Sequence, residues 1–160
     1  MKKLLLFAIA SFSLALTSCK SDEEEVNNPY TEANFIVGVW KQSKEVTISG
    51  ADNSTVLDTY TVTGCQALDN YNFKNDGSYV DQMHGSTAVG APCTLNTTNT
   101  GSYSYDPLTK ALTINYSGGT SGTENLTVLA INASSLVVKN KIDDDNGDGI
   151  DDFVIITLYR

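Results

Sequence analysis

Beyond residue 34 the chain is a succession of short runs in which apolar and polar residues alternate. Valine, threonine, isoleucine and tyrosine dominate these runs, and this composition with a period of two residues is typical of half-buried β-strands. A sustained helical stripe of apolar residues is missing from this part of the sequence. The pattern predicts nine strands, at residues 37–48, 56–63, 70–74, 78–82, 101–106, 111–116, 124–131, 135–140 and 153–159.

Turn-forming residues separate the predicted strands. Glycine, proline, asparagine and aspartate supply the backbone angles and the local hydrogen bonds that tight turns require. One short helical turn is predicted at residues 31–36, with Thr31 as its N-cap and Asn34 at the third position. The predicted turns between strands are Asn75-Asp76-Gly77, Asp106-Pro107, Gly118-Gly119, Asn132-Ala133-Ser134 and Asn146-Gly147.

Short strands joined by tight turns, without helices between them, indicate an all-β fold. The strand order in sequence favours an antiparallel meander of about eight to nine strands. Such a meander most easily removes its unpaired edges by closing into a barrel. A β-sandwich built from the same strands is the alternative.

The segment FIVGVWK, residues 35–41, resembles the opening signature of lipocalins, the pair Gly-x-Trp at Gly38 and Trp40. In that family the tryptophan plugs the closed end of the barrel and packs over the last strand. The resemblance therefore implies a lipocalin-like barrel. The same two residues would also suit a turn and a core position in a β-sandwich.

Three further segments support the same resemblance. YNFKNDGSYV (71–80) and GSYSYDPLTKALTI (101–114) resemble two hairpins of the lipocalin-like lipoproteins of Bacteroidota. The ending ITLYR resembles the closing strand of these proteins with its terminal basic residue. The resemblance covers residues 35–160, and the acidic insert before the last strand departs from it.

The N-terminal residues have the features of an export signal. Lys2 and Lys3 precede an apolar stretch at residues 4–16, which is shorter than the roughly 20 residues that a membrane-spanning helix requires. The stretch ends in Leu-Thr-Ser-Cys, which resembles the lipobox of bacterial lipoproteins. In that family the cysteine is linked to diacylglycerol, which implies lipidation of Cys19 and a membrane anchor. The alternative is an ordinary signal peptide with a chance cysteine.

Four acidic residues, Asp22 to Glu25, follow the lipidation motif. Such a run repels itself and stays solvated, so it predicts an extended tether. It also resembles the lipoprotein export signal of Bacteroidota, which implies display at the cell surface from the outer membrane; a generic solubilising linker is the alternative. The predicted organisation is a signal peptide at 1–18, a lipidated acidic tether at 19–34 and a barrel domain at 35–160.

The charge distribution argues against nucleic-acid binding. Without residues 1–18 the chain has eight basic and 19 acidic residues, a net charge of −11. Ten of the acids lie in residues 22–25 and 143–152, so the remaining chain is nearly neutral and has no basic stripe to neutralise phosphates.

Cysteine usage agrees with an oxidising compartment. Of the three cysteines, Cys19 is assigned to lipid, which leaves Cys65 and Cys93 as a pair. Two such cysteines outside the cytosol usually form a disulfide. Two free thiols or a soft-metal pair are the alternatives.

The stretch DDDNGDGIDD, residues 143–152, is typical of calcium-binding loops. Ca²⁺ takes about six to eight oxygen ligands, and carboxylates at alternate positions converge when such a loop curls. The loop resembles the Asp-rich loops of thrombospondin type 3 repeats more closely than an EF-hand, because Ile155 stands where an EF-hand has glutamate. A solvated acidic turn is the alternative. The predicted ligands of a structural Ca²⁺ are Asp144, Asn146, Asp148, the carbonyl of Ile150, and Asp152.

Aromatic residues recur at alternate positions of several predicted strands. They would either line a cavity for a small apolar or amphipathic ligand or fill the core themselves. The candidate ligand-binding residues are Tyr71, Phe73, Tyr79, Tyr103, Tyr105 and Tyr116.

Enzyme motifs are missing from the sequence. His84 is the only histidine and lacks a recognisable serine or cysteine partner motif. Position in the sequence is the sole reason to consider three acids as candidate glycosidase carboxylates, namely Asp69, Asp81 and Glu124. We therefore expect a non-enzymatic lipoprotein that binds a small ligand in its barrel. The alternative is an envelope interaction module that binds a protein or a glycan on its outer surface.

Overall fold

The computed structural model describes residues 29–160. Within them all nine predicted strands are present, and the all-β prediction is confirmed. A 3₁₀ helix at Gly64–Leu68 lies between β2 and β3. The other elements are α1 Pro29–Ile36, β1 Gly38–Ile48, β2 Val56–Thr61, β3 Asn70–Phe73, β4 Ser78–Gly85, β5 Thr94–Asp106, β6 Ala111–Gly118, β7 Gly122–Ile131, β8 Ser135–Lys141 and β9 Phe153–Tyr159.

Two boundaries differ from the sequence prediction. Strand β4 extends to Gly85 and strand β5 begins at Thr94. Their backbone pairing continues through a threonine- and asparagine-rich segment that lacks apolar alternation. Helix α1 begins at Pro29, so Thr31 lies inside the helix and is not its N-cap. Proline suits the first turn of a helix, where its missing N–H has no partner to lose. The helix therefore begins within the segment predicted as tether.

The strands form a closed antiparallel barrel. From β3 to β9 each strand pairs with the next, and β1 closes the ring by pairing with β3 through residues 38–40 and with β9 through residues 41–48. β2 pairs only with the second half of β1 and lies outside the eight-stranded ring. The barrel prediction is confirmed, and the sandwich alternative is not the fold of this chain.

One end of the barrel, called here the closed end, is covered by α1. Ile36 and Trp40 are fully buried there, and the indole N–H of Trp40 donates to the carbonyl of Ile36 at 2.9 Å. Arg160, which follows β9, places its guanidinium 4.3 Å from the centre of the Trp40 ring. A side chain at Gly38 would meet this guanidinium at about 2.5 Å, so the Gly-x-Trp pattern leaves room for the arginine. The expectation that Trp40 packs near the last strand is met.

The opposite end, called here the open end, carries loops 49–55, 62–69, 86–93, 119–121 and 142–152. The 3₁₀ helix contacts β1 and β4. Strands β2 and β4 do not pair with each other. A disulfide between Cys65 and Cys93 links this helix to the loop before β5, as the cysteine count predicted.

Candidate functional site

The barrel encloses a small cavity between its aromatic and aliphatic inward side chains. Its free volume is about 60 Å³. Drug-sized ligands occupy pockets of roughly 300–1,000 Å³, and an engineered cavity of about 150 Å³ holds benzene. The cavity therefore admits only a few non-hydrogen atoms unless its lining side chains move. It is lined by Tyr71, Phe73, Tyr79, Leu112, Ile114, Tyr116, Glu124, Leu126, Leu136, Val138, Ile156 and Leu158.

Four of the six predicted ligand-binding aromatics line this cavity. Phe73 and Tyr79 are fully buried, with ring centres 5.0 Å apart, while Tyr71 and Tyr116 are half-buried. The ring of Tyr116 meets the ring of Tyr79 edge-on at 5.8 Å. The alternation of β3, β4 and β6 thus brings these aromatics to one place, and they both line the cavity and fill most of the interior.

The other two predicted residues lie elsewhere in the core. Tyr103 packs edge-on against Phe73 and donates its hydroxyl hydrogen to the carbonyl of Lys74. Tyr105 reaches the carboxylate of Glu32 on α1, and burial with that neighbouring charge raises the pKa of Tyr105 to about 12. Both residues support the wall toward the closed end and do not contact the cavity.

Glu124 contributes a carboxyl group to the cavity lining. It lies at the start of β7, opposite Ile114 of β6, and so shares the inward face. The hydroxyl of Tyr116 donates to Oε2 of Glu124 at 3.1 Å, and the side-chain amide of Asn140 donates to Oε1 at 3.0 Å. Each carboxylate oxygen therefore accepts a hydrogen bond from a neutral donor.

Asp81 is a second inward carboxyl group, directly opposite Tyr71 in the β3–β4 pairing. It is 1% exposed. The amide of Asn99 donates to Oδ1 at 2.7 Å, and the hydroxyl of Tyr79 donates to Oδ2 at 3.3 Å. Burial raises the pKa of Asp81, although these two hydrogen bonds oppose the rise.

Two further acids surround the same half of the barrel. Asp69 accepts a hydrogen bond from the backbone N–H of His84 at 2.5 Å and lies 3.3 Å from Nδ1 of its ring. Glu45 accepts from Gln42, whose carbonyl oxygen accepts from the hydroxyl of Tyr71. Burial raises the pKa of Tyr71 well above its ordinary value, and the charges of Asp69 and Asp81 add to the rise.

The structure therefore gathers the three carboxyl groups that were candidates by location alone. Asp69, Asp81 and Glu124 all belong to the open half of the barrel. Sequence reasoning missed the role of Glu45, because a bulge between residues 42 and 44 shifts the alternation of β1 and turns Glu45 inward, opposite Ile156. It also missed the inward amide of Asn99, since the polar segment around it was not predicted as strand.

The acidic loop before β9 curls around its own carboxylates. Asp144 accepts the backbone N–H groups of Gly147 and Gly149, both at 2.7 Å, and that of Asp148. These hydrogen bonds lower the pKa of Asp144. Gly147 and Gly149 have positive φ angles of 77° and 87°, as the predicted curl requires.

The five predicted calcium ligands do not share one environment. Asp152 is fully buried. Its carboxylate accepts the backbone N–H groups of Gly50, Asp145 and Asn146 and also the side-chain amide of Asn146, so all four lone-pair positions are used. Asn146 and Asp148 accept loop N–H groups, and Ile150 is half exposed. Among residues 29–160 no three His, Cys, Asp or Glu side chains converge into a metal-binding group. The calcium site stays a prediction.

Cys19 lies outside the described residues, and so do the signal segment and the acidic run of the tether. Of the helices found in residues 29–160, none is long and apolar enough to cross a membrane.

Comparison with known proteins places the barrel in a family. A structure of apocrustacyanin C1 is similar to this chain at 18% sequence identity and a TM-score of 0.45, over 86% of this chain and 64% of that one. The chain thus spans less than two thirds of the length of that protein. A search of curated proteins found no match. The family model of the lipocalin-like domain matches residues 36–138, which extend from the end of α1 into β8 and include most of the cavity lining. The chain therefore belongs to the lipocalin-like domain family.

Proposed function

We propose that this chain is a lipoprotein of the bacterial outer membrane, displayed at the cell surface, whose barrel binds a small apolar or amphipathic ligand without transforming it. The observation that carries the binding role is the interior cavity, which combines an aliphatic floor with tyrosine hydroxyls and a carboxylate on one side. This arrangement suits a molecule with one apolar and one polar end.

The open end is the route by which a ligand would enter. Tyr71 and Tyr116 are half-buried and belong to this half of the barrel, whereas the closed end is sealed by Trp40 and α1. Rotation of the two half-buried tyrosines would enlarge the cavity, and for Tyr116 it would break the edge-on contact with the ring of Tyr79. A ligand longer than a few atoms therefore requires this rotation.

The predicted anchor is compatible with an accessible open end. Helix α1 leads into β1 at the closed end and contacts β5 and β7. A lipid on Cys19 followed by an acidic tether would therefore attach the barrel by its closed end. The open end would face away from the membrane, where a ligand can reach it.

Native mass spectrometry of the full chain, extracted from its own membranes in mild detergent, tests the binding role. A co-purifying small molecule that is lost on denaturation supports a carrier or sensor. Tyr116→Ala removes a ring and a hydroxyl group from the cavity lining and should lower retention of the molecule. Val39→Ala, an exposed position on the outer face of β1, is the matched control.

The small free volume of about 60 Å³ favours a second candidate function, an interaction module that meets a protein or glycan on its outer surface. In that case the tyrosines serve as core. A protein that carries no small molecule, and whose stability falls with Tyr116→Ala, would support this second function.

A further inference from the structure

The proposed ligand cavity contains a carboxyl group that has no cationic partner among the described residues. Of its twelve lining residues, Glu124 alone has a carboxyl group, and both of its oxygens accept from neutral groups, a phenol and an amide. A carboxylate removed from bulk water is normally stabilised by a cation, because its charge is costly to desolvate. Glu124 has no such partner among the described residues.

Asp81 repeats this situation deeper in the wall. It is 1% exposed and hydrogen-bonded to Asn99 and Tyr79, both neutral. The ring of Tyr79 lines the cavity, so the hydroxyl that contacts Asp81 connects this carboxyl group to the cavity wall. One inward carboxyl group thus lines the cavity and a second lies behind its wall, and in residues 29–160 neither forms an ion pair.

The basic residues of the described chain are used elsewhere. Lys110 pairs with Glu32 at the closed end, and Lys141 pairs with Asp151 in the acidic loop. Lys139 lies 4.1 Å from the centre of the Phe153 ring, and Arg160 covers Trp40.

The remaining three lysines lie away from the interior. Lys41 and Lys44 lie opposite Tyr159 and Thr157, on the outward face of β1 and β9, and Lys74 is exposed in the turn after β3. A positive charge in the cavity must therefore come from another molecule.

The walls beside Glu124 also suit a cation. The half-buried rings of Tyr71 and Tyr116 and the buried ring of Tyr79 surround the same cavity. Ring faces attract ammonium groups within about 6 Å, and the attraction strengthens when water is excluded. An alkyl chain attached to the ammonium group would contact Leu126 and Val138 below.

We propose that the ligand of this cavity is a small organic amine in its cationic form, with the ammonium group at Glu124 and the rings of Tyr71 and Tyr116, and with the apolar body in the aliphatic part of the barrel. This inference rests on the proposed ligand-binding function and assigns Glu124 as the residue that selects charge. The small free volume of the cavity, about 60 Å³, favours a primary amine with a short aliphatic chain.

Three molecules of equal chain length separate the inference from the function on which it rests. Butylammonium, 1-butanol and butyrate are titrated by calorimetry into the full chain held in lipid nanodiscs, with empty nanodiscs as the blank. Butylammonium should bind at least about tenfold more tightly than 1-butanol, the order of one charge-assisted contact, and butyrate should not bind. Glu124→Gln should remove the preference for butylammonium over 1-butanol. Asp58→Asn, an exposed position on β2, makes the same change in net charge and should keep the preference.

Each result decides one point. Equal binding of butylammonium and 1-butanol overturns the cationic ligand and leaves the ligand-binding barrel intact. Binding of none of the three contradicts both. If Glu124→Gln does not fold, Tyr116→Phe and Asn140→Ala provide the second test. Each removes one of the two hydrogen bonds that the Glu124 carboxyl group accepts, and each should change the preference for butylammonium over 1-butanol. An unchanged preference in both variants would contradict the assignment.

Discussion

The guanidinium of Arg160 lies over the indole ring of Trp40, 4.3 Å from its centre, and joins the last residue of the chain to the first strand. The same side chain donates to the carbonyl of Val37 at 2.7 Å and to the carbonyl of Ala133 at 2.6 Å. One residue therefore connects the start of β1, the β7–β8 turn and the end of β9. The closed end of the barrel depends on this contact.

Arg160→Ala should lower the free energy of unfolding by about 2 kcal/mol, because it removes one cation–π contact and two charged hydrogen bonds at a partly exposed position. The urea midpoint measures the change. Arg160→Lys should recover only part of it, since an ammonium group cannot make both hydrogen bonds and cover the ring. Lys74→Ala, exposed in a turn, is the control and should change the value by less than about 0.5 kcal/mol. Equal effects of Arg160→Ala and Lys74→Ala would contradict the role of the arginine.

The Cys65–Cys93 disulfide closes a loop with a sequence separation of 28 residues. Its removal in a double alanine variant should cost about 3.5 kcal/mol in the chain-entropy treatment. The urea midpoint of the variant, compared with that of the parent protein with and without reductant, measures this cost. Reductant should shift the parent and leave the double variant unchanged. A parent protein that is insensitive to reductant would show that the open end is held by other contacts.

The buried carboxyl of Asp81 should give the protein a pH-dependent stability. Its pKa in the folded state is raised above 3.8, so the folded protein holds this proton more tightly than the unfolded chain. The free energy of unfolding therefore falls as pH rises through the interval between the two pKa values, and levels off above the folded one. Asp81→Asn keeps the hydrogen bond from Asn99 and should abolish this fall. Urea midpoints from pH 3 to pH 8 measure it, with Asp58→Asn as the control.

Other acids change stability in the opposite direction and do not obscure the comparison. Hydrogen bonds from Ser78 and Thr109 lower the pKa values of Asp76 and Asp106, so their contribution is present above about pH 4 and is lost at lower pH. Both residues are unchanged in Asp81→Asn, and the difference between the two proteins isolates Asp81. Parallel curves for the two proteins would contradict the raised pKa.

Calcium should raise the melting temperature if the acidic loop binds it. At 10 mM Ca²⁺ and a dissociation constant near 10⁻⁴–10⁻³ M, the gain would be about 1.4 to 2.7 kcal/mol. Asp148→Ala should remove the calcium-dependent part of the stability. Asp144→Ala should also lower stability without calcium, because its carboxylate caps three loop N–H groups. Equal melting temperatures with calcium and with chelator would establish the loop as a turn that its own carboxylates hold.

Cys19→Ala tests the predicted anchor. The altered protein should leave the membrane fraction, because two or more acyl chains are needed for stable anchoring and the variant has none. Sedimentation of membranes followed by immunoblotting measures the distribution. Ser18→Ala keeps a small residue before the cysteine and should remain membrane-bound. A Cys19→Ala protein that still sediments with membranes would contradict the lipoprotein assignment.

The strands of this barrel could be predicted from sequence because their signal is local. Alternation of two residues and turn residues such as Asn75-Asp76-Gly77 depend on a few neighbours, and the structure has every predicted strand. The disulfide and the Gly-x-Trp pair could also be predicted from sequence, since each depends on residue type alone.

The interior of the site could not be predicted in the same way. Asp81 and Glu124 are 43 positions apart, and closure of the ring between β1 and β9 places both on the inner side of one barrel. Glu45 faces inward because a bulge shifts the alternation of β1, and no residue type announces that bulge. Asp152 is buried because Gly50 approaches the loop from another strand end, and a side chain at position 50 would overlap the carbonyl of Asp151.

The free volume of the barrel is the clearest case of a property that depends on the whole fold. The number of strands sets how much space the ring encloses, and the rotamers of Tyr71, Tyr79 and Tyr116 set how much of it is filled. A sequence specifies these aromatic residues, but it does not specify the small difference between the volume that the barrel encloses and the volume that its side chains fill. That difference in volume, about 60 Å³ beside the carboxyl group of Glu124, exists only once all eight strands are in place.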